Sequence, residues 1–418
     1  MSEKRRDSKN RILQTGESQR KDGRYAYKYI DVYGKQKFLY AWKLVPTDKT
    51  PAGKREDLSL REKERELQKD LDDGIDTAGK KMTVCELYAM QIRHNGNVKP
   101  NTKTGRSYLL KIIKEDQLGG RSIDSVKMSD AKEWVLRMKE NGYAFKTIKN
   151  YKRSLSAAFY SAIQNDCIRK NPFEFDITDV IEDDTQPKEA LSIEQERMYL
   201  AFVKNDDVFQ VYYDDIVILL GTGLRISELC GLTVSDLDFE NRIIDVNHQI
   251  LYDGKIGYYI SMPKTKKGYR QIPMSETVYQ ALLRVVSNRK RSSFEIVDNG
   301  KVYKDFLFCK DNGNPHTSSC YNSVFSGIKK KYNASHEVKL PRVTSPHTMR
   351  HTFCTRMANA GMNPKSLQYL MGHANISMTL NYYAHATYES AKTEFDRIMG
   401  GKQAVNLPAM AETVRLSA

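Results

Sequence analysis

The stretch SPHTMRHTF, Ser345–Phe353, places two histidines and an arginine within two turns of a predicted helix. Ser345 and Pro346 are a cap and a first-turn proline, and helical spacing sets His347, Arg350 and His351 on neighbouring faces. Three readings are open for such a stripe: a metal site, a phosphate clamp, or a solvated helix end. The metal reading fails on one residue. His347 and His351 have the i, i+4 spacing of a zinc-protease helix, but Thr348 stands where that chemistry needs a glutamate base.

Composition narrows the field further. A chain of 418 residues is too long for one ordinary core and predicts two or three domains. Its net charge of +15 makes a polyanion the expected partner. That charge is local: residues 1–55 hold 15 Lys and Arg against 6 Asp and Glu. The six cysteines, at 85, 167, 230, 309, 320 and 354, include no CxxC pair, and they predict reduced packing residues rather than a zinc ribbon or a disulfide framework. No apolar run reaches the roughly 18 residues of a membrane span, and MSEKRRDSKNR lacks the apolar segment of a secretory signal, so a cytoplasmic protein is expected.

Within the basic N-terminal portion, RYAYKYID and KQKFLYAWKL alternate at period two around a short VYG connection, predicting a hairpin; RILQTGES is a candidate third strand. LSLREKERELQKDLDD follows as a charged helix capped at Ser59. Residues 1–75 therefore form a small sheet-plus-helix domain. One sheet face either is solvated or enters a DNA groove, with Tyr27, Lys28 and Tyr40 as candidate contacts.

Residues 82–175 contain four amphipathic segments and predict an all-helical domain whose last helix is stopped by Pro172. That helix carries Lys146, Lys149 and Arg153 opposite its apolar side, a face that suits either solvent or DNA backbone. Beyond the acidic stretch FDITDVIEDDTQPKE, residues 187–400 read as mainly helical with a small antiparallel sheet over NRIIDVNHQI and GKIGYYISMPKTKKGYRQIPM. The Asp183–Asp184 and Asp214–Asp215 pairs are expected in a linker and on a helix surface. Residues 401–418 form a tail with spaced apolar residues, either docking on a second protomer or lacking order.

Four separated motifs then carry a resemblance. GTGLRISELCGL contains Arg225 and Glu228, PKTKKGYRQIP contains Lys264, HTMRH contains His347 and Arg350, and LMGHANISMTLNYYAH contains His373, Tyr382 and Tyr383. In type and order they resemble the boxes of the tyrosine recombinases, specifically phage-type integrases and the integrases of conjugative transposons. The resemblance implies a multidomain α+β fold: an arm-type DNA-binding domain, a core-binding domain and a catalytic domain. It implies Arg225, Lys264, His347, Arg350, His373 and Tyr383 as catalytic residues, with Tyr382 the alternative nucleophile and Lys266 or Lys267 the alternative acid. YAH favours Tyr383, two positions before His385.

The chemistry of these residue types agrees. Cutting a phosphodiester by a tyrosine hydroxyl builds negative charge on phosphorus-bound oxygens, and paired guanidinium forks stabilise such charge. A phenol with an ordinary pKa of about 10 needs a cationic field and a proton acceptor, the role expected of His347. The departing 5′ oxygen needs a proton, expected from Lys264. A phosphotyrosine bond conserves energy, so neither ATP nor a metal or other cofactor is expected, and GTGLRISEL indeed lacks a P-loop's GK[ST]. Expected partners are double-stranded DNA, further copies of the chain as a dimer to tetramer on DNA, and an excisionase-type accessory protein. A type IB topoisomerase and a catalytically silent DNA-binding regulator are the competing classes.

Overall fold

The computed structural model describes residues 4–75, 79–96, 98–186, 189–263, 265–289 and 293–383, together with Phe395. Lys264, His385 and the 401–418 tail lie outside the described residues. The chain divides into two compact units, 1–186 and 187–418. Among the described residues no helix is long and apolar enough to cross a membrane.

The first unit opens with an antiparallel sheet of β1 (Glu17–Gln19), β2 (Tyr25–Ile30) and β3 (Gln36–Ala41). The third strand exists, but it is only the end of the expected RILQTGES segment. Register pairs Tyr27 with Leu39 and Lys28 with Phe38, so the two aromatic rows occupy opposite faces. Tyr25, Tyr27, Leu39 and Ala41 pack with Leu13, Leu44 and Leu60, the last from α1 (Leu60–Asp72). Glu17 is buried beneath them, and its carboxylate accepts from Arg61 of that helix at 2.9 Å. The Ser59 backbone N–H donates to Glu62 at 2.9 Å, which starts α1 as its capping residues predict.

α2 (Val84–His94), α3 (Pro100–Glu115), α4 (Met128–Glu140) and α5 (Phe145–Gln164) enclose an aromatic core around Trp134, Phe145, Phe159 and Phe173. α5 stops well before Pro172, contrary to the sequence expectation. Asp166 takes a left-handed φ of 52°, and Cys167 N–H closes onto the Ala162 carbonyl at 2.9 Å, so the chain turns off there.

The second unit begins with α6 (Ile193–Asn205), α7 (Tyr213–Thr222) and α8 (Ile226–Gly231). β4 (Leu237–Asp238) and β5 (Ile243–Val246) follow, then β6 (Gln249–Asp253), β7 (Gly257–Ser261) and β8 (Arg270–Pro273). The single sheet expected here is in fact two. β5 pairs with β4 and β8, whereas β6 and β7 form their own hairpin. After α9 (Glu276–Asn288) comes a further hairpin, β9 (Ile296–Asp298) and β10 (Lys301–Tyr303). Its two-residue turn is Asn299–Gly300, both at positive φ, a hairpin signal present in the sequence but not read there. α10 (Ser318–Ser335), α11 (Pro346–Asn359), α12 (Pro364–Met371) and α13 (Ser377–Leu380) complete the described elements. α7 is buried on nearly every side and packs against α9 and α11.

One acidic pair departs from expectation. Asp214 lies at the surface with Arg284, but Asp215 is buried and accepts from the Tyr321 hydroxyl at 2.7 Å. Burial pushes its carboxyl up to about 7. The described residues contain no disulfide, and Cys167, Cys230 and Cys354 are buried packing residues.

Candidate active site

Two helix ends organise the site. α7 terminates at Gly223, whose left-handed φ of 65° lets its N–H close onto Leu219 at 3.0 Å. A β-carbon at Gly223 would lie 2.5 Å from the Phe353 ring, so only glycine fits this turn. The turn aims the Gly223 carbonyl at Arg350 Nη1, 2.6 Å away, and delivers Arg225 two residues later as the residue capping α8. α12 ends the same way at Gly372, with a φ of 58°. The carbonyl of Gly372 accepts from Arg225 Nη2 at 3.0 Å, and that of Met371 accepts from Arg350 Nη2. Both guanidinium groups thus rest on main-chain carbonyls at the negative ends of helices, which favour cations.

A single carboxylate links them. Glu228 accepts from the Arg225 backbone N–H at 2.8 Å and from Arg225 Nη1 at 2.6 Å. It also accepts a two-pronged contact from Arg270, at 2.7 and 3.1 Å. Arg270 Nε continues to the Leu370 carbonyl, 2.7 Å away on the last turn of α12. Burial alone would raise the Glu228 carboxyl; Arg270, with the charges of Arg225 and Arg350, outweighs it and holds the group down at about 2. Burial, then the charge of Arg225, lowers Arg350 to about 9. One carboxylate for three guanidinium groups leaves the cluster with net positive charge, with Arg270 and Arg350 buried and Arg225 partly open to solvent, an arrangement that suits an anion.

His373 follows Gly372 directly. Its ring is buried and Nδ1 meets Thr379 Oγ1 at 2.9 Å, while its backbone is tied in both directions to Gln368. Burial, then Arg350 and Arg225, pull the imidazole down to about 4, so it is neutral near pH 7. His347 is exposed on the first turn of α11 and close enough to be among the charges acting on His373.

Tyr382 and Tyr383 pack on the Phe353, Cys354, Leu367 and Met371 cluster. The Tyr382 ring meets His351 edge-on, with centroids 4.9 Å apart. The Tyr383 hydroxyl instead donates to the Met362 carbonyl. Burial raises both phenols above their ordinary value.

The structure therefore brings Arg225, Arg350, His373 and His347 into one locality. Arg270 was not singled out from the sequence, although strand alternation carries a signal: it shares the inward face of β8 with Ile272, and a buried arginine requires a carboxylate. In the other unit, Lys146, Lys149 and Arg153 are exposed along one face of α5. Lys28 and Tyr40 lie on the open face of the N-terminal sheet, where Arg20 and Arg24 stand 5.3 and 5.4 Å from the Tyr40 ring centroid. Tyr27 lies on the helix-packed face instead, against Gly16.

Comparison with known proteins agrees with this picture. Residues 191–390 match the phage integrase family, and residues 1–71 match the DNA binding domain of tn916 integrase. Over 409 residues, 98% of this chain and 100% of the relative, the chain is 60% identical to the transposase from transposon Tn916 of Enterococcus faecalis. It is likewise 60% identical, with the same coverage, to the transposase from transposon Tn1545 of Streptococcus pneumoniae. Among solved structures, an arginine-to-lysine variant of the Tn1549 transposon integrase, in complex with a circular intermediate DNA, superposes with a TM-score of 0.73 at 62% identity, covering 76% of this chain and 99% of that one. A tyrosine-to-phenylalanine variant in complex with transposon right end DNA gives 0.72 at the same identity and coverage. A lambda integrase dimer bound to a COC′ core site shares the fold at 14% identity, with a TM-score of 0.51 over 89% of this chain and 95% of that one. The chain belongs to the phage integrase family, the tyrosine recombinases. Within that family it groups with the integrases of Tn916-type conjugative transposons.

Proposed function

We propose that this chain integrates and excises a mobile element by cutting and rejoining double-stranded DNA through a 3′-phosphotyrosine intermediate. The observation that carries the reading is the convergence of Arg225 and Arg350 on carbonyls of two helix ends, around the shared carboxylate of Glu228. Each guanidinium is pre-oriented, so little reorganisation is needed when charge develops at phosphorus.

In the proposed reaction a DNA phosphate sits against Arg225 and Arg350, with His373 as a further donor. Tyr383 releases its hydroxyl proton to His347, its oxygen bonds to phosphorus, and the bond from phosphorus to the 5′ oxygen breaks. Lys264 gives that oxygen its proton. Rejoining runs the same steps backward with a different 5′ hydroxyl, so bond energy is conserved and neither nucleotide nor metal is called on. Tyr383 must first leave the Met362 carbonyl.

Residues 1–75, 82–175 and 187–400 serve in this reading as arm-binding, core-binding and catalytic domains. The open sheet face with Lys28 and Tyr40, and the α5 face with Lys146, Lys149 and Arg153, contact DNA; Tyr27 supports the first from behind. Two duplexes must be exchanged, which calls for a dimer assembling to a tetramer on DNA, with an excisionase-type protein biasing direction.

The test is to incubate the full chain with DNA carrying the joined ends of its element, denature, isolate the protein and sequence what remains attached. Attachment through a 3′ phosphate at one sequence, undiminished by a chelator, supports the reading. Strictly magnesium-dependent breakage leaving no attached protein overturns it.

A further inference from the structure

The Arg270 side chain is fully buried, and its guanidinium is already engaged by Glu228 and the Leu370 carbonyl. It occupies both oxygens of Glu228, the residue on which Arg225 depends. Arg225 itself remains partly exposed, with 38% of its side chain open to solvent. A lone buried carboxylate beside an exposed guanidinium would draw that guanidinium into a closed two-pronged pair, the geometry these groups prefer. Arg270 already satisfies that demand from the inner side, and it is fixed there by the Leu370 carbonyl and by the approach of Gly372. A β-carbon on Gly372 would stand 3.1 Å from Arg270 Nη1, so the inner guanidinium and the helix end that receives Arg225 are packed together.

We infer that Arg270 is a positioning residue for strand cleavage: by saturating Glu228 it keeps Arg225 turned outward toward the phosphate. Arg270 makes no contact with substrate in this role and acts only through Glu228. The inference rests on the recombinase reading above and adds a residue to it.

The arrangement makes a distinctive prediction for paired substitutions. With Arg270→Met, Glu228 loses its inner partner, and the buried anion draws Arg225 from its single side-chain bond into a closed pair. Replacing that anion as well, in Arg270→Met with Glu228→Gln, removes the trap. A role confined to bracing α12 through Leu370 would not be repaired by the second change.

The experiment uses the full chain and a nicked suicide duplex bearing the sequence recovered from the wild-type covalent species. DNA affinity and the single-turnover rate of covalent attachment are measured separately. For Arg270→Met we expect attachment to slow by about 100-fold with affinity changed by no more than about threefold. The double variant should regain about tenfold of that rate, and Arg270→Lys, which keeps the charge but not the fork, should fall between wild type and Arg270→Met. Attachment by Arg270→Met at the wild-type rate overturns the inference, as does a double variant no faster than the single one, whether or not the single variant has also lost affinity. Failure of the wild-type chain to attach at all would instead overturn the recombinase reading.

Discussion

The hydroxyl of Tyr383 is held by the main-chain carbonyl of Met362, in the turn between α11 and α12, while its neighbour Tyr382 lies edge-on to His351. Both rings pack on Phe353, Cys354 and Met371; Tyr383 adds one hydrogen bond through its hydroxyl, and Tyr382 adds the ring contact with His351. A nucleophile has to move, and Tyr383 has one hydroxyl bond to break before it does.

Tyr383→Phe is therefore expected to bind DNA as tightly as the wild type and to form no covalent species on a nicked duplex, read on a denaturing gel. Tyr382→Phe keeps its ring contact and should form the species at a rate within about threefold of wild type. An adduct lost in Tyr382→Phe and kept in Tyr383→Phe reverses the assignment.

Gly223→Ala tests the helix end beneath Arg350. A left-handed residue with a β-carbon 2.5 Å from the Phe353 ring must distort the turn. We expect a loss of about 2 kcal/mol or more in denaturant unfolding. Covalent attachment should slow by at least about tenfold, because the Gly223 carbonyl no longer meets Arg350 Nη1.

Asp215 predicts a pH dependence of stability. Its carboxyl is raised by burial from 3.8 to about 7, so between those values the folded chain holds a proton that the unfolded chain has released. Stability therefore declines as pH rises through this window and levels off above about 7. Asp215→Asn keeps an acceptor for the Tyr321 hydroxyl and removes the titration. Its advantage over wild type should grow by on the order of 2 kcal/mol between about pH 5 and pH 7.5. Denaturation midpoints that track wild type across the range would refute the burial argument.

The proton donor to the 5′ oxygen is separable from its neighbours by leaving-group chemistry. Lys267 Nζ already donates to the Ala374 carbonyl at 3.1 Å, which gives it a structural task. Lys264→Ala is expected to slow cleavage by about 100-fold on ordinary DNA. A bridging 5′ sulfur, which leaves without protonation, should restore most of that rate. Equal rescue of Lys266→Ala, with none for Lys264→Ala, would move the role.

The exposed face of α5 is tested by salt. Changing Lys146, Lys149 and Arg153 together to Gln should weaken DNA binding at every sequence tested. It should also reduce the slope of log affinity against log salt by about 2 to 3. An unchanged slope would return this face to solvent.

Much of this molecule was open to reading because its signals are local. Ser345–Pro346 announces a helix start, and α11 begins at Pro346; period-two alternation over RYAYKYID and KQKFLYAWKL yields β2 and β3. The recombinase boxes are short and ordered along the chain, so they survive without knowledge of contacts. What stayed hidden depends on tertiary neighbours. Asp215 reads as a surface acid beside Asp214, and only its contact with Tyr321, 106 positions away on α10, reveals it as buried. Pro172 is a strong breaker, but the left-handed turn at Asp166 ends α5 first. Arg270 looks like one more basic residue in a lysine-rich hairpin until its partner, 42 positions away, is known. The main-chain carbonyls of Gly223, Met371 and Gly372 leave no side-chain mark at all.

That last feature bears on how such enzymes can be rebuilt. Since the arginines are cradled by peptide oxygens at the termini of α7 and α12, a chimera that borrows the GTGLR loop from one relative and the MGH loop from another must preserve both helix lengths to the residue. An inserted amino acid near either terminus would rotate an oxygen by roughly 100° and abandon a guanidinium, whatever side chains were retained. Altering which DNA such an enzyme recognises must therefore leave those two helical ends untouched.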